Sequence, residues 1–120
     1  MSKGALAIVL HAHLPYVRSA EKNSLEGDWY LQALLESYLP LLQLLEEATK
    51  KGTESKITIG LSPTLLSLLQ DKELNSLFPQ WISFRINLLR KQNKESKEAA
   101  KTLSGNIEFQ LDFWERCNGD

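Results

Sequence analysis

Apolar and polar positions alternate in blocks along the chain, and the blocks predict two strands set among helices. Ala5 to Leu10 runs six residues without a charge and stops at His11. That length, with β-branched Ile8 and Val9, suits a short buried strand near residues 5–11 better than a helix. Strand side chains alternate, so Leu6, Ile8 and Leu10 share one face, while Ala7, Val9, His11 and His13 share the other. Pro15 ends pairing through its missing N–H and favours an extended Leu14. Residues 56–61 repeat the asymmetry: Ile57, Ile59 and Leu61 oppose Thr58, Gly60 and Ser62. Two strands with branched bulk on one side and small or polar residues on the other suggest a sheet packed on helices by its bulky face. The small face would line a barrel interior.

Between and beyond these strands the spacing is helical. Residues 19–28 read as a polar loop with Asp28 as N-cap. From Trp29 the positions Ala33, Leu34, Tyr38, Leu41, Leu42 and Leu45 recur at helical intervals, and Pro40 inside the pattern predicts a kink or break near Tyr38. Gly52 is a natural residue to follow the helix end. Ser62-Pro63 opens another helix as cap and first-turn residue. A short amphipathic piece spans residues 71–77, and Phe78-Pro79 marks a boundary. From Gln80, residues Trp81, Phe84, Ile86, Leu88 and Leu89 form a stripe. Ser104–Asn106 predicts a break, after which Phe109, Phe113 and Trp114 read as core.

Composition narrows the function classes. With 120 residues there is at most one domain, and 14 Lys+Arg against 15 Asp+Glu give no electrostatic case for a nucleic-acid or anionic-membrane partner. The basic residues from Arg85 to Lys101 alternate with Glu95 and Glu98, as on a solvated helix face. One cysteine, Cys117, allows no internal disulfide and fits a reducing compartment. No run approaches the ~18 apolar residues of a membrane span, and the apolar run after Lys3 is too short for a signal peptide. The expected location is cytoplasmic.

His11 and His13 are the only histidines. Placed at the C-terminal end of a strand, where parallel α/β folds build sites, they admit three readings. They are structural histidines, or metal ligands of a hydrolase, or polar groups that hydrogen-bond a hydroxyl-rich ligand and tune nearby carboxylates. A metal site normally needs a third ligand, and the chain offers no further histidine.

The run His11-Ala12-His13-Leu14-Pro15-Tyr16-Val17-Arg18 resembles the first motif of glycoside hydrolase family 57, especially its α-1,4-glucan branching enzymes. Asp28-Trp29, Glu36–Leu42, Gly60–Leu66 and Phe113–Asp120 resemble later segments in order and spacing. The likeness is looser from about Asp71 to Leu111. It implies an α/β fold: the N-terminal part of an incomplete (β/α)7 barrel, cut in mid-domain, with about two parallel strands. It implies a retaining enzyme that cleaves α-1,4 links and forms α-1,6 links, with α-glucan (glycogen, amylose or maltooligosaccharide) and the remainder of the catalytic domain as partners. It implies no cofactor and no catalytic metal. His11 and His13 would line the cleavage subsite. Trp29 and Tyr16 are further candidate substrate contacts, since sugar rings stack on aromatic faces. The paired carboxyls of a retaining glycosidase would be a Glu and an Asp on later strands, so no catalytic residue is assigned here. α-Amylase, 4-α-glucanotransferase, a metal-dependent hydrolase and a non-catalytic glucan-binding remnant are the alternatives.

Overall fold

A computed structural model describes residues 4–18, 24–53, 56–91 and 97–117. The elements run β1 (Ile8–Ala12), α1 (Leu25–Ala33), a π-helical turn (Leu34–Tyr38), α2 (Leu39–Lys50), β2 (Ile57–Leu61), α3 (Pro63–Leu69), α4 (Lys72–Asn75), α5 (Phe78–Arg90) and α6 (Lys97–Arg116). β1 and β2 pair in parallel, with Val9 opposite Thr58 and His11 opposite Gly60. The expected small-residue face therefore forms, and both strands contribute to it.

The core is helical. Tyr30, Leu31, Leu34 and Leu39 from the first helical run meet Leu68, Leu74, Phe78, Ile82, Ile86, Phe113 and Trp114, and Val17 joins them from the loop after β1. No strand residue belongs to this cluster. The expectation of a buried strand is corrected: Ile8 to His11 are all exposed, Val9 at 69%. Among the described residues the sheet is only partly covered on its bulky face, where Leu10 is 37% exposed, and is open at Val9 on the other. The composition of β1 is that of an interior strand, but elements that would complete the cover are not among the described residues. β1 also begins three residues later than the expected strand near 5–11, because pairing with β2 starts only at Ile8.

Three helix ends follow local chemistry. Ser24, not Asp28, caps α1, its hydroxyl accepting from Gly27 N at 3.1 Å. Helix therefore starts at Leu25 inside the expected loop, of which residues 19–23 lie outside the described residues. Ser62 caps α3 through Leu65 N at 3.2 Å, with Pro63 in the first turn, as expected. Gly52 sits at φ +68°, and the bonds Gly52 N to Thr49 O and Thr53 N to Ala48 O complete a Schellman closure of α2.

Pro40 does not break the helix. The preceding turn widens instead, so that Leu39 N reaches back five residues to Leu34 O. One extra residue in the turn makes room for the proline ring against the previous carbonyls, so the expected irregularity near Tyr38 takes the form of a π-helical turn. The stripe on α5 is also corrected. The buried face is Phe78, Ile82 and Ile86, whereas Phe84 and Leu88 are exposed. α5 starts at Phe78, two residues before the expected Gln80. α6 runs through Ser104–Asn106 without a break, and Phe109 is exposed while Phe113 and Trp114 are buried. A lone helical glycine costs about 1 kcal/mol, and packing of the turns that follow Gly105 outweighs it.

Candidate active-site motif at the end of β1

The two imidazoles stand side by side. His11 lies within β1 and His13 just past its end, so strand alternation puts both on the small-residue face. Their ring centroids are 5.9 Å apart and their planes differ by 11°, a stacked arrangement. Both residues are exposed. Gly60, directly across the ladder from His11, makes the space: a Cβ there would lie 3.6 Å from His11 Nδ1. The rings are neither splayed to opposite sides nor sealed under hydrocarbon.

This geometry bears on the metal reading. An ion ligated by imidazole sits in the ring plane, along the nitrogen lone pair. A closed site would also need further ligands beside these two rings. Among the described residues no cluster of three or more His, Cys, Asp or Glu side chains exists. Parallel, outward imidazoles do suit donors and acceptors aimed at one face of a polyhydroxylated ligand.

The loop that continues from His13 is anchored at alternate points. Ser62 N donates to Ala12 O at 3.0 Å, extending the ladder one step past the strand. Thr64 Oγ1 donates to Leu14 O at 2.7 Å and also meets Ser62 Oγ at 3.0 Å. Val17 is buried in the helical core. Arg18 Nε pairs with Asp71 Oδ2 at 2.5 Å and its Nη2 with Glu73 Oε2 at 2.7 Å. The hydrogen bond to Glu73, then the charge of Asp71, hold the guanidinium above its ordinary pKa. Between these anchors Tyr16 turns outward and is 59% exposed.

Trp29 stands on the first turns of α1 and is 53% exposed, so it is an accessible aromatic and not a core anchor. Its neighbours are tied down. Asp28 accepts from Trp81 Nε1 and from Arg85 Nη2, the latter at 2.5 Å, and Arg85 also lies over the Trp81 ring at 4.8 Å. Tyr30 is buried, donating to Asn75 Oδ1 at 2.6 Å, and burial pushes its hydroxyl pKa well above the ordinary tyrosine value. The structure thus brings His11 and His13 together and presents Tyr16 and Trp29 to solvent. Among the described residues neither aromatic stacks on an imidazole. Thr64, Asp71 and Arg85 were not legible as site supports, because each acts on a partner at least 50 residues away.

Over nearly its whole length the chain is similar to solved proteins of glycoside hydrolase family 57. Two of the solved proteins it resembles over that length are branching enzymes. A 1,4-alpha-glucan branching enzyme of Thermococcus kodakarensis is 31% identical over 121 residues, covering 98% of this chain. The crystal structure of that organism's GH57 branching enzyme, in complex with glucose and additives, matches 98% of this chain at TM-score 0.88 and 29% identity. The GH57-type branching enzyme of Pyrococcus horikoshii matches at 0.87 and 28%, and the alpha-amylase AmyC of Thermotoga maritima at 0.79 and 26%, each again over 98% of this chain. No family model matches the chain. The chain spans 18% of the T. kodakarensis enzyme by sequence, and 22%, 23% and 24% of the three solved chains.

Proposed function

We propose that this chain supplies part of the glucan-binding site of a 1,4-alpha-glucan branching enzyme. In this reading β1 and β2 are two strands of an incomplete (β/α)7 barrel, the chain being the N-terminal part of its catalytic domain. The incomplete cover of the two-stranded sheet supports that placement, since strands this apolar are ordinarily covered. His11 and His13 hydrogen-bond the glucosyl unit at the cleaved link, and Trp29 and Tyr16 offer aromatic surface to neighbouring sugar rings.

The reaction is retaining: a carboxylate attacks the anomeric carbon, the α-1,4 link breaks, and a 6-hydroxyl then displaces the enzyme from the glucosyl carbon. The acid/base carboxyl protonates the departing 4-oxygen and later takes the proton of the 6-hydroxyl. Neither carboxyl belongs to this chain in the proposal. The chain binds glucan and does not turn it over; its working place is the cytoplasm. The likeness to AmyC supports α-amylase as the second reading, and residues outside this chain decide between the two.

The observation that carries the proposal is the stacked, exposed imidazole pair beside Gly60. The test is a maltooligosaccharide titration followed by NMR of the histidine rings. Saturable shifts at His11 and His13, lost in His11→Ala, are expected, with no new reducing ends or α-1,6 branches from amylose. Unmoved histidine signals, or turnover by the chain alone, would refute it.

A further inference from the structure

Trp29 is an exposed aromatic whose two sequence neighbours are both locked. Asp28 reaches α5 through Trp81 and Arg85, and Tyr30 reaches Asn75 at the end of α4. A residue and its successor on a helix point about 100° apart, so fixing 28 and 30 from either side fixes how α1 is rotated about its axis. That rotation decides where the Trp29 indole points. Ser24 and Gly27 secure the start of the helix but do not set its rotation against α5.

We propose that Asp28, through Trp81 and Arg85, is a positioning residue that holds the Trp29 indole ready for a glucan ring. The inference rests on the reading of Trp29 as a glucan contact. An exposed indole on a loosely docked helix would have to be ordered when the sugar arrives. The clamp removes that entropy cost beforehand, which is the ordinary benefit of preorganisation. The arrangement also explains why a carboxylate directly precedes the aromatic. Asp28 accepts from an indole N–H and a guanidinium at once, and asparagine can replace it in shape but not in charge.

The first arm of the test needs no ligand. In the 120-residue chain, side-chain ¹⁵N relaxation gives an order parameter for each of the three tryptophan indoles. In the unaltered chain the Trp29 indole should be ordered, well above the roughly 0.6 typical of flexible groups. Asp28→Asn and Arg85→Gln should both lower the Trp29 value and leave Trp114 unchanged, while Arg85→Lys keeps most of the order. A Trp29 indole already mobile in the unaltered chain, or equally ordered in all variants, overturns the proposal.

The second arm is maltooligosaccharide affinity. Asp28→Asn should weaken binding roughly fivefold, as expected for losing a part-exposed charge pair. In a Trp29→Phe background the same change should have a clearly smaller effect. An equal effect in both backgrounds means Asp28 does not act through Trp29 and overturns the clamp alone. Trp29→Ala that binds as tightly as the unaltered chain overturns the glucan-contact reading instead.

Discussion

Replacing Gly60 separates the shape of the site from the stability of the fold. Gly60 pairs with His11 across β1 and β2, and an added Cβ would meet His11 Nδ1 at 3.6 Å, ordinary van der Waals contact. Gly60→Ala should therefore fit without moving the ring. Removing a strand glycine also trims the entropy of the unfolded chain, so stability should rise by about 0.5–1 kcal/mol. Gly60→Val differs in reach. Its methyls extend on the order of 1.5 Å past Cβ, one bond length, and in rotamers directed at the imidazole they overlap it. In a closed core such overpacking costs about 1–3 kcal/mol. His11 is exposed, so the ring can swing away and the stability cost should be the smaller part of the effect. The stack with His13 should be lost. Ring-to-ring nuclear Overhauser effects between the two imidazoles, measured beside thermal unfolding, read both quantities. Alanine should preserve the contacts and raise Tm by a few degrees; valine should abolish them with a small change in Tm. If alanine disrupts the pair as much as valine, or valine leaves it intact, Gly60 does not provide the space argued for it.

Other changes test the supports of the site. Ser62→Ala removes both the cap on Leu65 N and the contact with Thr64, and should cost about 1–2 kcal/mol, with faster hydrogen exchange at the Leu65 amide. Asp71→Ala loses the α4 cap and the Arg18 pair together, and should cost about 1–2 kcal/mol in denaturant unfolding. Glu73→Gln, whose carboxylate is 74% exposed, should stay within about 0.5 kcal/mol. Tyr30→Phe leaves buried Asn75 Oδ1 without its phenol donor and should cost about 1–3 kcal/mol. Burial raises the Tyr30 pKa in the folded state, so its contribution is fully present below the ordinary tyrosine value near 10. Above that value the unfolded chain loses the proton first, and stability falls as pH rises. The Phe variant should show a shallower alkaline loss in unfolding midpoints taken across pH 9–11 than the unaltered chain.

Legibility followed the range of the interaction. Ser62-Pro63 and Gly52 were readable because a cap or a left-handed helix end is decided within a few residues. The strand faces were readable because alternation is strict: the register puts His11 and Gly60 on one face, as the sequence pattern requires. The helical stripes were less so. Residues 78–89 carry apolar side chains on two neighbouring faces, and only packing in the shared helical cluster distinguishes Phe78, Ile82 and Ile86 from Phe84 and Leu88. Gly105 misled, and Pro40 marked an irregularity but not a break, for a common reason. Each weakens helix locally by a known amount, and in each case the surrounding helix absorbs it, through packing in α6 and through a widened turn before α2.

The strand reading raises a different question, because the apolar pattern of β1 was right about the strand and wrong about burial. A six-residue apolar run records the environment for which a strand is suited, and Val9 at 69% exposure does not occupy that environment here. Meanwhile the helices bury a complete cluster without it. The histidine loop is tied to that cluster through Val17, and to α4 through Arg18, so its place depends little on what covers the sheet. If so, destabilising the sheet should spare the loop. Val9→Lys, on the open face, should leave the protection of the Val17 amide and the Tyr30–Asn75 contact unaltered while fraying the β1–β2 amides. Hydrogen exchange reads all of these in one experiment. Loss of protection at Val17 in step with the strands would show instead that the motif is held by the sheet, and that the helical cluster alone does not order it.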